Sequence, residues 1–109
     1  MANRRRGEVP LVIGSDRYTL CLTLGALADL EDALGTADLA GLAERFSRGR
    51  LASRDLIALL GAALRGGGHP LDDAAVAALP LGGGLDPIVS ALGEVLAAAF
   101  GEDAPPDPS

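Results

Sequence analysis

The hydrophobic pattern of this chain changes period once, at Thr23. Before that point, Glu8-Val9-Pro10-Leu11-Val12-Ile13 and Tyr18-Thr19-Leu20-Cys21-Leu22-Thr23 are two β-rich runs around the polar turn Gly14-Ser15-Asp16-Arg17, the pattern of a β-hairpin. After it, apolar residues recur at helical spacing. Two strands alone are marginal in water, so the apolar face of the hairpin must lie on the helices that follow. With a four-residue turn, Ile13 faces Tyr18, Leu11 faces Leu20 and Val9 faces Leu22, gathering six large side chains on one face. Pro10, Val12, Thr19, Cys21 and Thr23 take the other face, and Pro10, which has no amide hydrogen, suits an edge strand.

The rest of the chain divides into five helical segments. The first carries Leu24, Leu27, Leu30 and Leu34 opposite Asp29, Glu31 and Asp32, with Thr23 as N-cap and Gly35 as its stop. A second, from about Asp38 to Phe46, has Leu39, Leu42 and Phe46 on one side. The third takes Ser53 as N-cap, Asp55 in its first turn and the stripe Leu56, Ile57, Leu60 and Leu64, and ends at Gly66-Gly67-Gly68. Asp72 or Asp73 opens a short fourth helix carrying Val76 and Leu79, which Pro80 and Gly82-Gly83-Gly84 stop. In the last, Asp86 is the N-cap, Pro87 the first helical residue, and Ile88, Leu92, Val95, Leu96 and Ala99 recur at helical spacing before Gly101. The expected fold class is α+β, predominantly α: an N-terminal two-stranded antiparallel hairpin packed on about five short helices. It forms one domain over residues 8–101, between a flexible basic N-terminus, residues 1–7, and a disordered acidic Pro-rich tail, residues 102–109.

Apolar residues make up 49% of the chain but aromatics only 3%. The core is therefore built from Leu, Ala, Val and Ile, and helices must approach closely through Ala and Gly. A formal charge of −6, with all nine basic residues Arg, argues against neutralising a phosphate backbone, so no nucleic-acid partner is expected. Cys21 is the single cysteine, which excludes an internal disulfide and a thiolate metal cluster. The apolar stretch after Arg4-Arg5-Arg6 is broken by Pro10 and too short for a signal peptide. Ile88 to Phe100 carries Glu94 and is too short to span a bilayer. The expectation is a cytoplasmic protein with no membrane segment.

No catalytic residue, metal site or cofactor is expected. His69 is the only histidine and has no nucleophile or second ligand beside it in the sequence, and Cys21 reads as a small hydrophobe. The glycine runs 66–68 and 82–84 lack a following Gly-Lys-Ser/Thr and read as hinges. Neither Asp72-Asp73 nor Asp29, Glu31 and Asp32 matches a calcium loop. Binding is better supported. The last helix is apolar over a wide arc that includes Leu85, Val89 and Phe100, and a partner helix laid into a groove would cover it. Arg45, Arg48, Arg50 and Arg54 form a basic rim near the second and third helices, much of which salt bridges to Asp55 and Glu44 also explain. The candidate protein-binding residues are Leu60, Leu64, Leu92, Val95, Leu96 and Phe100, with Arg48, Arg50 and Arg54; for each of the apolar six, the core is the favoured location over the interface.

Three segments carry a family resemblance: Asn3-Arg4-Arg5-Arg6-Gly7-Glu8, Tyr18 through Glu31 (YTLCLTLGALADLE), and Leu51 through Gly68, with Leu51-Ala52-Ser53-Arg54-Asp55-Leu56-Ile57 at its start. Together they resemble the tail assembly chaperone family of gene transfer agents and related tailed phages, sometimes described as a tail tube protein. The likeness covers roughly residues 3 to 80 and lies in an ordered set of segments, not in a catalytic signature. It implies a non-enzymatic cytoplasmic assembly factor whose partners are the helical tape-measure protein and the tail-tube subunits; self-association is left open. The alternative is a structural tail component retained in a virion-like particle. A helix-turn-helix regulator ranks lower, because its recognition helix, Asp72 to Leu79, has two acids and no base.

Overall fold

The computed structural model describes residues 7–34, 41, 44–46, 48–49, 52–80 and 84–100, without the side chains of Leu34 and Phe100. Of the expected second helix, Gly41 and residues 44–46 are described, and they are helical. Leu39, Leu42, Gly35, the basic N-terminus and the acidic tail lie outside the described residues. The fold is α+β and mostly helical, as expected. It consists of strands β1 (Val9–Ile13) and β2 (Asp16–Leu20), followed among the described residues by helices α1 (Leu24–Leu34), α2 (Ser53–Gly66), α3 (Asp73–Ala77) and α4 (Asp86–Phe100).

The strands pair antiparallel, with Val9 opposite Leu20, Leu11 opposite Tyr18 and Ile13 opposite Asp16. The turn is therefore Gly14-Ser15 alone, and the four-residue turn and its register are corrected by two residues. Gly14 sits at φ +64. That is the conformation a two-residue hairpin turn demands at its first central position when glycine occupies it, and it lets Asp16 and Arg17 join the ladder. A shift of two preserves the face of every side chain. Val9, Leu11, Ile13, Leu20 and Leu22 are buried and Tyr18 half-buried, while Pro10 and Val12 face solvent.

Helix α2 occupies the centre. A single apolar stripe is expected of it, but every residue from Ala58 to Leu64 is buried. Small side chains at Ala58, Gly61, Ala62 and Ala63 allow this, because they admit neighbours close to the helix axis on faces where a long side chain would hold them off. On one side α1 packs through Ala26, Leu27 and Leu30. Thr23 caps α1 as expected: its Oγ1 accepts the Ala26 N–H at 3.0 Å and its carbonyl accepts the Leu27 N–H at 2.9 Å. Leu24, expected on the apolar stripe, is 85% exposed, because the buried arc of α1 is centred on Ala26 and Leu30, a turn apart, and Leu24 points away from it. On another side α4 packs on the hairpin and on α2 through Ile88, Ala91, Leu92, Val95 and Leu96.

The outer edge of β2 meets the C-terminal turn of α2. The Cys21 N–H donates to the Ala63 carbonyl at 2.9 Å. A Cβ on Gly66 would collide with the Cys21 carbonyl oxygen, and one on Gly67 with the Thr19 carbonyl oxygen. Gly66 and Gly67 are therefore a packing surface and not the hinge expected above: backbone lies on backbone, and only hydrogen fits between. Gly68, at φ +97, closes the helix in a Schellman motif, with the His69 N–H donating to the Leu64 carbonyl at 2.9 Å and the Gly68 N–H to the Arg65 carbonyl at 3.1 Å. Arg65 then ties down the following loop through the Leu71 carbonyl at 2.8 Å and Asp73 at 3.4 Å.

Two helix starts fall one residue from their expected caps, within the ordinary scatter of helix boundaries. Helix α2 begins at Ser53 itself, after Ala52, whose N–H donates to Asp55 at 3.2 Å and whose carbonyl accepts from Leu56 at 3.1 Å. Helix α4 begins at Asp86, with the Leu85 carbonyl accepting the Val89 N–H at 3.0 Å, which moves Pro87 to its second position. Asp72 caps α3 through Ala75 at 2.8 Å, and Leu79 lies beyond the end of that helix.

Gly67→Ala is expected to destabilise the domain by about 2–3 kcal/mol, as overpacking against unyielding backbone does. Gly68→Ala, which meets no atom but forces a side chain into the left-handed region, should cost about 1–2 kcal/mol. Urea unfolding monitored by circular dichroism checks both; equal midpoints for Gly67→Ala and the unsubstituted protein would refute the close approach.

Candidate partner groove

Where α2, α3 and the start of α4 converge, their side chains leave an apolar cavity of about 250 Å³. Leu56, Ile57 and Leu60 contribute from α2, Val76 and Ala77 from α3, Leu79 from the loop after it, and Leu85 and Ile88 from the entry to α4. Leu60, Val76 and Ile88 are buried and form its floor; Leu85 is 43% exposed and Val89, one turn on, 37% exposed. The groove exists because α3 is too short to cover the N-terminal half of α2. Ser53 to Ile57 thus remain open to solvent or half-buried, while Ala58 to Leu64 are sealed.

At Ile57 the apolar groove adjoins a polar recess of about 330 Å³ lined by Ala33, Arg54, Asp55, Ala58 and Asp73. Asp55 accepts the Ala52 N–H and Asp73 pairs with Arg65. The latter is an exposed ion pair at 3.4 Å, a weak constraint. Arg54 is exposed and forms no ion pair with a described residue. A further cavity of about 480 Å³ between Glu8-Val9 and α4 is larger, but its α4 wall is Ser90, Gly93, Glu94, Ala97 and Ala98, which offers a partner little apolar side-chain area to bury. The Phe46 ring approaches the same helix, 3.3 Å from where a Gly93 Cβ would lie.

The candidate binding residues are thereby separated. Leu60 lies in the groove floor. Leu64, Leu92 and Val95 are fully buried and Leu96 is 4% exposed, so these four belong to the core and are not available to a partner. The side chain of Phe100, and Arg50 altogether, lie outside the described residues. Arg48 pairs with Glu44 on an exposed surface at 3.1 Å, and Arg54 stands at the polar end of the groove. Sequence reasoning overlooked Leu56, Ile57, Val76, Leu79 and Ile88 as groove walls. The exposed pair Leu85 and Val89 was visible as the widening of the apolar arc of the last helix.

His69 has a structural task. Its Nε2 accepts the Thr19 N–H at 2.9 Å, and its ring stands edge-on to Tyr18 with centroids 5.2 Å apart. The imidazole thus serves as the missing partner for an outward strand amide. Among the described residues no group of three or more His, Cys, Asp or Glu is placed to hold a metal, and no helix is long and apolar enough to cross a membrane. Helix α3 has five residues and is acidic at its start, too short and of the wrong charge to read a major groove.

A family model described as "Phage tail tube protein, GTA-gp10" matches residues 6–102. Neither a curated protein nor a solved structure matches the chain.

The partition between core and rim is measurable. Leu92→Ala should cost about 2–5 kcal/mol as a fully enclosed cavity mutation, whereas Leu85→Ala should change stability by no more than about 0.5 kcal/mol. Comparable losses in urea unfolding would place Leu85 in the core.

Proposed function

The chain belongs to that phage tail tube family, which gives it a role in the structure or assembly of a phage-like tail, and from this premise we propose that it is a non-enzymatic assembly factor that binds the tape-measure protein and assists tail-tube polymerisation. The observation that carries the reading is the open apolar groove between α2, α3 and α4, with the exposed Leu85 at its rim. A tape-measure protein is long and helical, and an unassembled apolar helix face needs temporary cover. A small acidic domain with such a groove supplies that cover and remains soluble through its own charge. The hairpin also supports a helper over a tube subunit. The outer edge of β2 is occupied by Ala63 and His69 of the same chain, and β1 carries Pro10 on its outer edge, so little free strand edge remains for building a continuous sheet.

The family description, "tail tube protein", favours a second reading, a structural component retained in the finished particle. The two differ in where the protein ends up: a helper stays in the host cytoplasm, whereas a component leaves with the particle. Co-expression with the tape-measure protein, followed by size exclusion with light scattering, should give a soluble complex where the tape measure alone precipitates. Purified tails should lack the small protein. Absence of a complex together with stoichiometric presence in tails would reverse the assignment.

A further inference from the structure

Resting on the partner binding just proposed, we infer that the groove between α2, α3 and α4 takes an amphipathic helix whose apolar stripe is flanked by basic residues. Backbone chemistry dictates the helix. The groove is walled mainly by apolar side chains and presents no strand edge, so an extended segment entering it would bury most of its own polar backbone unpaired. A helix brings its backbone already satisfied and presents only side chains. At about 250 Å³ the cavity is below the roughly 300–1,000 Å³ of pockets for small organic ligands, and it suits apolar anchors projecting from a helix instead.

Charge dictates the flank. Outside the apolar lining itself, the segments that contribute to the groove, residues 53–57, 72–79 and 85–89, carry Asp55, Asp72, Asp73 and Asp86 against Arg54, with Asp55, Asp73 and Arg54 in the adjoining recess. With Arg65 paired to Asp73 at 3.4 Å, four carboxylates stand against two guanidinium groups, a net negative rim around the apolar lining in keeping with the −6 of the whole chain. Lysine or arginine beside the apolar stripe complements that rim, and acidic residues there are repelled. The same argument disfavours a second copy of this chain as occupant, since the outward face of α1 presents Asp29 and Asp32.

The test uses the full chain and labelled peptides tiling the tape-measure protein, with binding followed by fluorescence anisotropy. Peptides that form amphipathic helices with basic flanks should bind, and should lose at least tenfold in affinity when those flanks are changed to Glu. Leu85→Glu and Ala77→Glu, at exposed positions that line the groove and verified by circular dichroism to be folded, should each weaken binding at least tenfold. If peptides bind but neither substitution matters, or if the acidic-flanked versions bind as well, the inference is overturned while the proposed function stands. It is equally overturned if no peptide binds although the intact tape-measure protein co-elutes, or if the groove proves to mediate a dimer that Leu85→Glu dissociates. Failure of both peptides and intact protein to bind removes the proposed function as well.

Discussion

The contact between the C-terminal turn of α2 and the outer edge of β2 is the constraint on which the rest of the structure depends. Strand and helix are joined there by backbone, with the Cys21 N–H on the Ala63 carbonyl and the carbonyls of Thr19 and Cys21 lying against Gly67 and Gly66. No side chain intervenes, so the hairpin sits at a fixed depth and Leu20 and Leu22 enter the core beside Leu59 and Leu64. A chain with one Tyr, two Phe and no Trp has few large side chains with which to fill space. It reaches interior density by bringing its elements closer together. The glycine and alanine content is the means to that closeness, and the all-round burial of Ala58 to Leu64 is its result.

That solution determines which surfaces remain for other molecules. In the register observed, the N–H groups of Thr19 and Cys21 point outward from the ladder, and both are satisfied within the chain, one by His69 and the other by Ala63. An edge closed in this way does not add strands. On the opposite edge Pro10 removes one donor from β1. The sheet is thereby poorly suited to association by its edges, and apart from the isolated Val12 and Leu24 unburied apolar side chains lie on and beside the helices, at Leu56, Ile57, Leu79, Leu85 and Val89.

Much of the fold was legible because it rests on local signals. The change of period at Thr23, Thr23 as a cap, Asp72 as a cap and the alternation of Val9, Leu11 and Ile13 each act within a few residues, and all four recur in the structure. The hairpin register was misjudged by two because Gly14-Ser15-Asp16-Arg17 is polar throughout, and polarity does not reveal where pairing resumes; the positive φ of Gly14 does. The role of Gly66 and Gly67 was misjudged because a glycine required for flexibility and one required for proximity look identical in sequence, and only the facing carbonyls tell them apart. The same limit applies to the candidate site. Leu60 and Leu64 share one helical stripe, yet one lines the groove and the other is sealed, because the covering helix α3 ends at Ala77.

The shortness of α3 is thus the feature that connects fold to proposed function. Five residues capped by Asp72 cannot span the fourteen-residue α2, and Pro80 follows only three positions after the helix ends, which opposes its extension. An added turn of helix would bury Leu79 and Leu85 and increase stability through ordinary apolar burial. Leaving them uncovered forgoes that gain, at a surface where carboxylates already outnumber guanidinium groups. Those carboxylates oppose association between copies while leaving the groove open to a partner of the opposite charge. A domain selected for stability alone has no reason to combine an open apolar floor with a negative rim. A domain that must hold a helical client, release it and stay dispersed in between has a reason for both.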